Sequence, residues 1–327
     1  MKETDYAFSV AVIRSKENSL LTKSDMDNLI DAPSFSEAKA ILESKGYKDM
    51  DYENINDSLH KKTQEIWAFL EETVPSIDVF SFLVLKNDFH NLKVILKSKV
   101  MNLNEVEFQE DNNFLLPSLI SPKELMEKVN NKGFESLPSF IQNAALEGYD
   151  ILVRTKDSMV AELVIDKYCL DNILKEAKKT KNDFIISYAT TMASFANIKT
   201  AYRLAKSNRA KEIIESALCH VKEPERDMLI ESSEKGVKDL LNFLSTTTFS
   251  DMACLLKDSI TLYEKEWEER ILNMCLKVRN NILGPEAIIA YYQAKEIEMM
   301  NIRIIMFCKH NGIGSDSIRE RVRRIYV

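Results

Sequence analysis

Few side chains in this chain of 327 residues stand at the spacings that bond-making chemistry requires. The four histidines, His60, His90, His220 and His310, are isolated, and none has a Cys or His partner at ligand spacing. No GxxxxGK[ST] loop, GxGxxG turn or HExxH helix occurs, which removes the usual phosphate cradle and the zinc-protease arrangement. An all-helical metalloenzyme would need Glu-x-x-His pairs on facing helices. Here His90, His220 and His310 lack a Glu three residues before them, and His60, preceded by Asp57, stands alone. The five cysteines (Cys169, Cys219, Cys254, Cys275, Cys308) form no CxxC pair, and four lie in helical apolar runs, the pattern of reduced core thiols. Gly312-Ile313-Gly314-Ser315 has the small residues of an anion loop, but a helix stop and restart explains it better. The expectation is a chain without catalytic, cofactor-binding or metal-ligating residues.

What does recur is an amide. Phe82–Lys99 (FLVLKNDFHNLKVILKSK), Tyr188–Ala205 (YATTMASFANIKTAYRLA) and the stretch around Asn301 align on Asn91, Asn197 and Asn301. An aromatic stands nine residues earlier in each (Phe82, Tyr188, Tyr292). Leu92, Ile198 and Ile302 follow one residue later, and the bases Lys93, Lys199 and Arg303 two residues later. The asparagines are 106 and 104 residues apart, close to a third of the chain, which marks three similar units. A catalytic amide would need a nucleophile or base beside it at equivalent places. The slot three residues before the Asn holds Asp88, Ser194 and Glu298, so no such residue recurs. A helical face of small and apolar neighbours predicts instead a structural amide, bonding across to a partner helix and fixing register.

The elements that carry these residues read as helices throughout. With 7 Gly, 7 Pro, 29% charged and 45% apolar residues, the chain has too few turn formers for a sheet protein. Helices are expected at Asp5–Glu17, after Thr22 or Ser24, and from the Ser34/Glu37 capping box to Gly46. Others follow at Asn56–Thr73, and from Ile77 or Asp78 to about Val100. Residues 102–121 (NLNEVEFQEDNNFLLPSLIS) lack helical period and read as a loop. Ser121-Pro122-Lys123-Glu124 then starts a new helix. Ser136–Glu147 should stop at Gly148, followed by long helices near Lys156–Lys179 and Asn182–Ser207. Short ones are expected at Glu212–Val221, Pro224–Glu231 and Gly236–Leu244. A long helix from about Met252 to Ile282, the break Gly284-Pro285, the third motif helix and an Arg-rich last helix complete the chain. DKYCLDNIL (Asp166–Leu174) matches EKEWEERIL (Glu264–Leu272) at an offset of 98 residues, so the repeating unit is a helix pair. The fold class is all-α, in three lobes of residues 1–109, 110–214 and 215–327.

The formal net charge of -7 argues against a general nucleic-acid binder. No stretch approaches the roughly 20 apolar residues of a membrane span, and the N-terminal apolar run is too short for a signal peptide. Any work at a membrane would pass through a membrane-embedded partner. The only dense basic cluster, Arg319, Arg321, Arg323 and Arg324, fits either a solvated terminal helix or docking against acidic groups of a partner.

Three stretches resemble the C subunit of the archaeal and bacterial V/A-type rotary ATPases, a relative of the d subunit of the eukaryotic vacuolar enzyme. They are Tyr6–Leu42, DFHNLKVILKSK (Asp88–Lys99) and AKEIEMMNIRIIMFCKHNGIGSDSIRERV (Ala294–Val322). The middle third, around Phe195-Ala196-Asn197, departs most from the family pattern. The resemblance implies three helical lobes with pseudo-threefold symmetry around a central funnel. It implies a monomeric rotor component, one copy per rotor, at the cytoplasmic face of the membrane. Its partners would be the D and F subunits of the rotor axle and the membrane proteolipid ring, and it would hydrolyse nothing. The Arg-rich tail and the acidic 102–113 stretch are candidates for partner contacts. The rival reading is a helical adaptor unrelated to ATPases; its repeats would usually be 34–47 residues, against about 105 here.

Overall fold

A computed structural model describes residues 2–101 and 114–327 of the chain. Among the described residues the regular elements are all helices, as the shortage of turn formers predicts. The acidic candidate stretch 102–113 lies outside the described residues.

The N-terminal helices are α1 (Ala7–Glu17), α2 (Lys23–Asp31), α3 (Phe35–Ser44) and α4 (Ile55–Thr73). Their starts are those the capping residues specify. Thr22 accepts from the Asp25 amide while Asp25 reaches back to the Thr22 amide, and Ser34 accepts from the Glu37 amide at 3.2 Å. Ile77–Leu83 is a 3₁₀ turn, and only then does α5 (Leu85–Met101) begin. The single helix expected here breaks where Phe82, Leu83, Val84 and Leu85 are buried in succession, which leaves a helical turn no solvent face.

α6 (Pro122–Asn130) starts with Pro122 in its first turn and Ser121 accepting from the Glu124 amide at 3.2 Å. α7 (Ser139–Thr155) passes straight through Gly148, correcting its role as a stop. A Cβ at Gly148 would lie 2.8 Å from Ile165 Cδ1 and 3.3 Å from Leu96 Cδ1, so the glycine is there for close helix packing. α8 (Ser158–Lys179) and α9 (Asp183–Lys206) are capped by Asp157 and Asn182.

Three short helices follow: α10 (Lys211–Ala217), α11 (Arg226–Lys235) and α12 (Val237–Ser245). The long helix expected from Met252 is two, α13 (Ser250–Asp258) and α14 (Ile260–Lys277). Ser259 between them is extended, and its hydroxyl accepts from the Thr261 amide at 3.1 Å, so it restarts the helix as a cap. α15 (Glu286–His310) ends at Asn311, where Gly312 takes φ +66° and the Ile313 amide returns to Cys308 O at 2.9 Å. α16 (Ser315–Arg321) is shorter than the Arg-rich helix expected; the chain is non-helical from Arg323 onward.

The chain divides into two compact units, Met1–Ile77 with Glu268–Val327, and Asp78–Trp267. In the first, α15 packs on α1, α3, α4 and α16. Every residue from Glu286 to Tyr292 is buried, so the first two turns of this helix have no solvent face to give them an amphipathic stripe. In the second, α9 packs on α8, α10, α11 and α12, and α5 packs on α6, α7 and α8. Phe195 on α9 anchors part of that core, stacked on Trp267 at 5.7 Å and edge-on to Tyr263 at 6.0 Å.

Candidate functional site

The three motif asparagines sit on α5, α9 and α15, and each is almost wholly buried. All three do the same thing. Asn91 Nδ2 donates to the Leu115 carbonyl at 3.0 Å while Oδ1 accepts from the Leu115 amide at 2.8 Å. Asn197 does so with Cys219, at 2.8 and 3.1 Å, and Asn301 with Arg323, at 2.8 and 2.7 Å. In each copy the chain leaves the motif helix and returns after 24, 22 or 22 residues as non-helical backbone, which the amide clasps. The partner is therefore not a helix, as the sequence led us to expect. A carboxamide offers one donor edge and one acceptor, which match the C=O and N–H of a single peptide residue. Helical backbone has already spent both on its own ladder, so only a non-helical segment can accept a two-point clasp.

Neighbouring side chains extend the clasp. Asp88 accepts from the Leu119 and Ile120 amides at 3.0 and 2.9 Å, Asn87 donates to Pro117 O at 2.8 Å, and Ser194 donates to Glu223 O at 2.5 Å. Burial pushes the Asp88 carboxyl up to about 6, against the lowering effect of those two amides. Glu298, in the same slot on α15, turns elsewhere: it accepts from the Leu21 amide and Lys295 Nζ, each at 2.5 Å, and from the Tyr47 hydroxyl. This buried cluster ties the N-terminal stretch to α15. Burial and the Glu298 charge raise the Tyr47 hydroxyl far above its ordinary range.

The bases two residues beyond the asparagines differ between copies. Lys93 pairs with Asp166 on α8 at 2.6 Å, and Lys199 with Glu264 on α14 at 3.0 Å. Asp166 and Glu264 are the first residues of the two matching nonapeptides, so the sequence repeat carries the ion pair with it. Arg303 makes no ion pair among the described residues, and its Nε is buried without a hydrogen-bond partner.

The Arg-rich cluster is largely engaged within the chain. Arg319 forks between Asp27 and Asp31 at 2.6 Å, Arg323 pairs with Glu268, and Arg324 lies 3.1 Å from Asn273 Oδ1 and 3.5 Å from Glu269. Among the described residues Arg321 reaches Ser317 O and no carboxylate. The tail thus fastens the C-terminus to α2 and α14. Cys169, Cys219, Cys275 and Cys308 are buried free thiols, and Cys254 is exposed. His310 stacks on Tyr52 at 3.4 Å between ring centres. Among the described residues no three His, Cys, Asp or Glu side chains converge as metal donors, and no helix is long and apolar enough to cross a membrane.

The family described as ATP synthase (C/AC39) subunit matches residues 9–321. The chain belongs to this family. Among its relatives are the V-type sodium ATPase C subunit of Enterococcus hirae and the A-type ATP synthase C subunit of Methanobrevibacter smithii. The first is 19% identical, over 96% of this chain and 97% of that protein; the second is 23% identical, over 96% and 87%. The V-type ATP synthase C subunit of Thermus thermophilus is 22% identical, over 97% of this chain and 98% of that protein. Membership in the C/AC39 family removes the reading as an adaptor unrelated to ATPases. The sequence had shown the recurring asparagines but not what they hold. A signal was present: Pro117 and Pro224 follow Asn91 and Asn197 by nearly equal intervals, marking where the returning segments run.

Proposed function

We propose that this chain is a non-catalytic rotor component of a V/A-type ATPase. It is a socket that couples the D and F subunits of the axle to the membrane proteolipid ring, so that rotation and ion movement are linked. The observation that carries the reading is the family match across residues 9–321, with relatives that are each the C subunit of such a complex. In this proposal it has no active site, works as a monomer with one copy per rotor, and lies at the cytoplasmic face of the membrane.

The lobes are residues 1–109, 110–214 and 215–327, related by pseudo-threefold symmetry around a central funnel. The threefold Asn clasp supports that reading, because one device at equivalent places implies one repeated architecture. The clasps also suit a torque-bearing part. Each fastens a connecting segment to a buried helix with two hydrogen bonds, in lobes whose long helices contain few glycines. The test is native mass spectrometry of the protein mixed with the D and F axle subunits of its host. A 1:1:1 complex that captures the detergent-solubilised ring is the expected result. Failure to bind either axle or ring, at low and moderate salt, would overturn it.

A further inference from the structure

The bases of the repeat are equivalent in sequence but not in partnership. Lys93 and Lys199 each meet an acid carried on a packed helix, at 2.6 and 3.0 Å. The third, Arg303, meets no acid among the described residues. α4 packs against α15 there, bringing Thr63 to Met299 Sδ at 3.5 Å and Trp67 edge-on to Tyr292 at 6.1 Å. It brings no carboxylate into ion-pair range of Arg303 among the described residues. Asp57, one to two turns before Thr63, makes no ion pair with the guanidinium. Yet Arg303 is half-buried: Nε is sealed from solvent without a hydrogen-bond partner, and burial holds the guanidinium below its usual range. A charge withdrawn from water and left unpaired is a cost with no return among the described residues.

From this vacancy in an otherwise repeated ion pair we infer that Arg303 receives a carboxylate from a partner protein, an Asp or Glu side chain carried on a helix of the rotor axle. In the other two copies the acid rides on a neighbouring helix, α8 or α14, whereas α4, which packs on α15 in the third copy, brings none. The guanidinium rather than an ammonium suits an intermolecular contact, because it can take a carboxylate by two parallel N–H bonds. The inference rests on the rotor-socket reading and adds one contact to it.

The test compares the wild type with Arg303→Met, Arg303→Lys and, as a control, Lys199→Met. Thermal melting is measured first, then binding to the purified D–F axle and, separately, to the detergent-solubilised ring. Arg303→Met should melt at or above the wild-type temperature, because it removes an unpaired buried charge, while Lys199→Met melts lower. Axle affinity of Arg303→Met should fall by about tenfold or more, in keeping with close interfacial charge pairs. Arg303→Lys should recover part of the loss, and ring binding should be unchanged. Wild-type axle affinity in Arg303→Met would overturn the inference while leaving the rotor-socket reading intact. So would a melting temperature lowered as in Lys199→Met, or a loss confined to the ring. A wild type that binds neither axle nor ring would overturn both.

Discussion

Truncating Asn197 to alanine tests the clasp where it is driest. Asn197 is 1% exposed and Cys219 is fully buried, so water cannot readily replace the amide. Asn197→Ala strands the Cys219 N–H and the Cys219 C=O, each at about 1–3 kcal/mol when left unsatisfied, so the variant should lose about 2–6 kcal/mol. Asn301→Ala should lose less, about 1–3 kcal/mol, because Arg323 is only partly buried and water can reach its backbone. A chain of this size need not unfold in one step, so global denaturation alone is a poor readout. Hydrogen exchange at the Cys219 amide reads the clasp directly. A loss of 2 kcal/mol or more corresponds to exchange faster by about thirtyfold or more. Unchanged protection of Cys219 in Asn197→Ala, with a stability loss below about 0.5 kcal/mol, would refute the reasoning. It would mean that the returning segment is held by its apolar side chains and that the repeated amide is incidental.

Other consequences are open to simpler measurements. Gly148→Ala should destabilise by about 1–3 kcal/mol through overpacking against Ile165 and Leu96; an unchanged urea midpoint would show that α7 and α8 can part freely. The Asp88 carboxyl, raised to about 6 from 3.8, favours the folded state when protonated. Its contribution is complete below about pH 4 and is lost as the pH rises through 6, by about 3 kcal/mol in all. The gap between wild type and Asp88→Asn in unfolding free energy should therefore shift against the wild type from pH 4 to pH 8, and a parallel pair of curves would contradict this. Native protein should take up one maleimide, at Cys254, and five once denatured. Burial raises the thiols of Cys219 and Cys275 to about 12, so labelling of either without unfolding would show that its core opens. Lys295→Met leaves Glu298 buried with only Tyr47 and the Leu21 amide as partners, and should cost about 3–5 kcal/mol on thermal or chemical unfolding.

How much of this was legible in the sequence depends on whether the signal was local. Helix starts at Thr22, Ser34, Ser121, Asp157 and Asn182 are written in capping residues whose partners lie two or three positions away, and they stand where those residues put them. Gly148 misled because glycine signals both a helix end and a close helix crossing, and only the neighbours Ile165 and Leu96, from other helices, decide between the two. The break at Ser259 was missed because Met252–Lys277 keeps helical composition across it, and serine is tolerated within a helix as well as at its cap. α9 and α15, buried around most of their circumference, have little apolar stripe to read; the recurring motif and, for α15, the break at Gly284-Pro285 marked them instead.

The candidate site divides along the same line. Asn91, Asn197 and Asn301 were visible because repetition needs no knowledge of contacts. Their partners were not, because the clasped residues Leu115, Cys219 and Arg323 are of three different types. That lack of likeness follows from the bond itself. The amide reads backbone N–H and C=O, which every residue but proline supplies, so selection can hold the asparagine while leaving the clasped position free to vary. The ion pairs behave in the opposite way. Lys93–Asp166 and Lys199–Glu264 need a particular side chain at both ends, so both ends recur in the sequence, and a base whose acid is missing becomes conspicuous. Arg303 is informative for that reason: side-chain pairing leaves a trace in the sequence when one member is absent, whereas side-chain-to-backbone pairing leaves none.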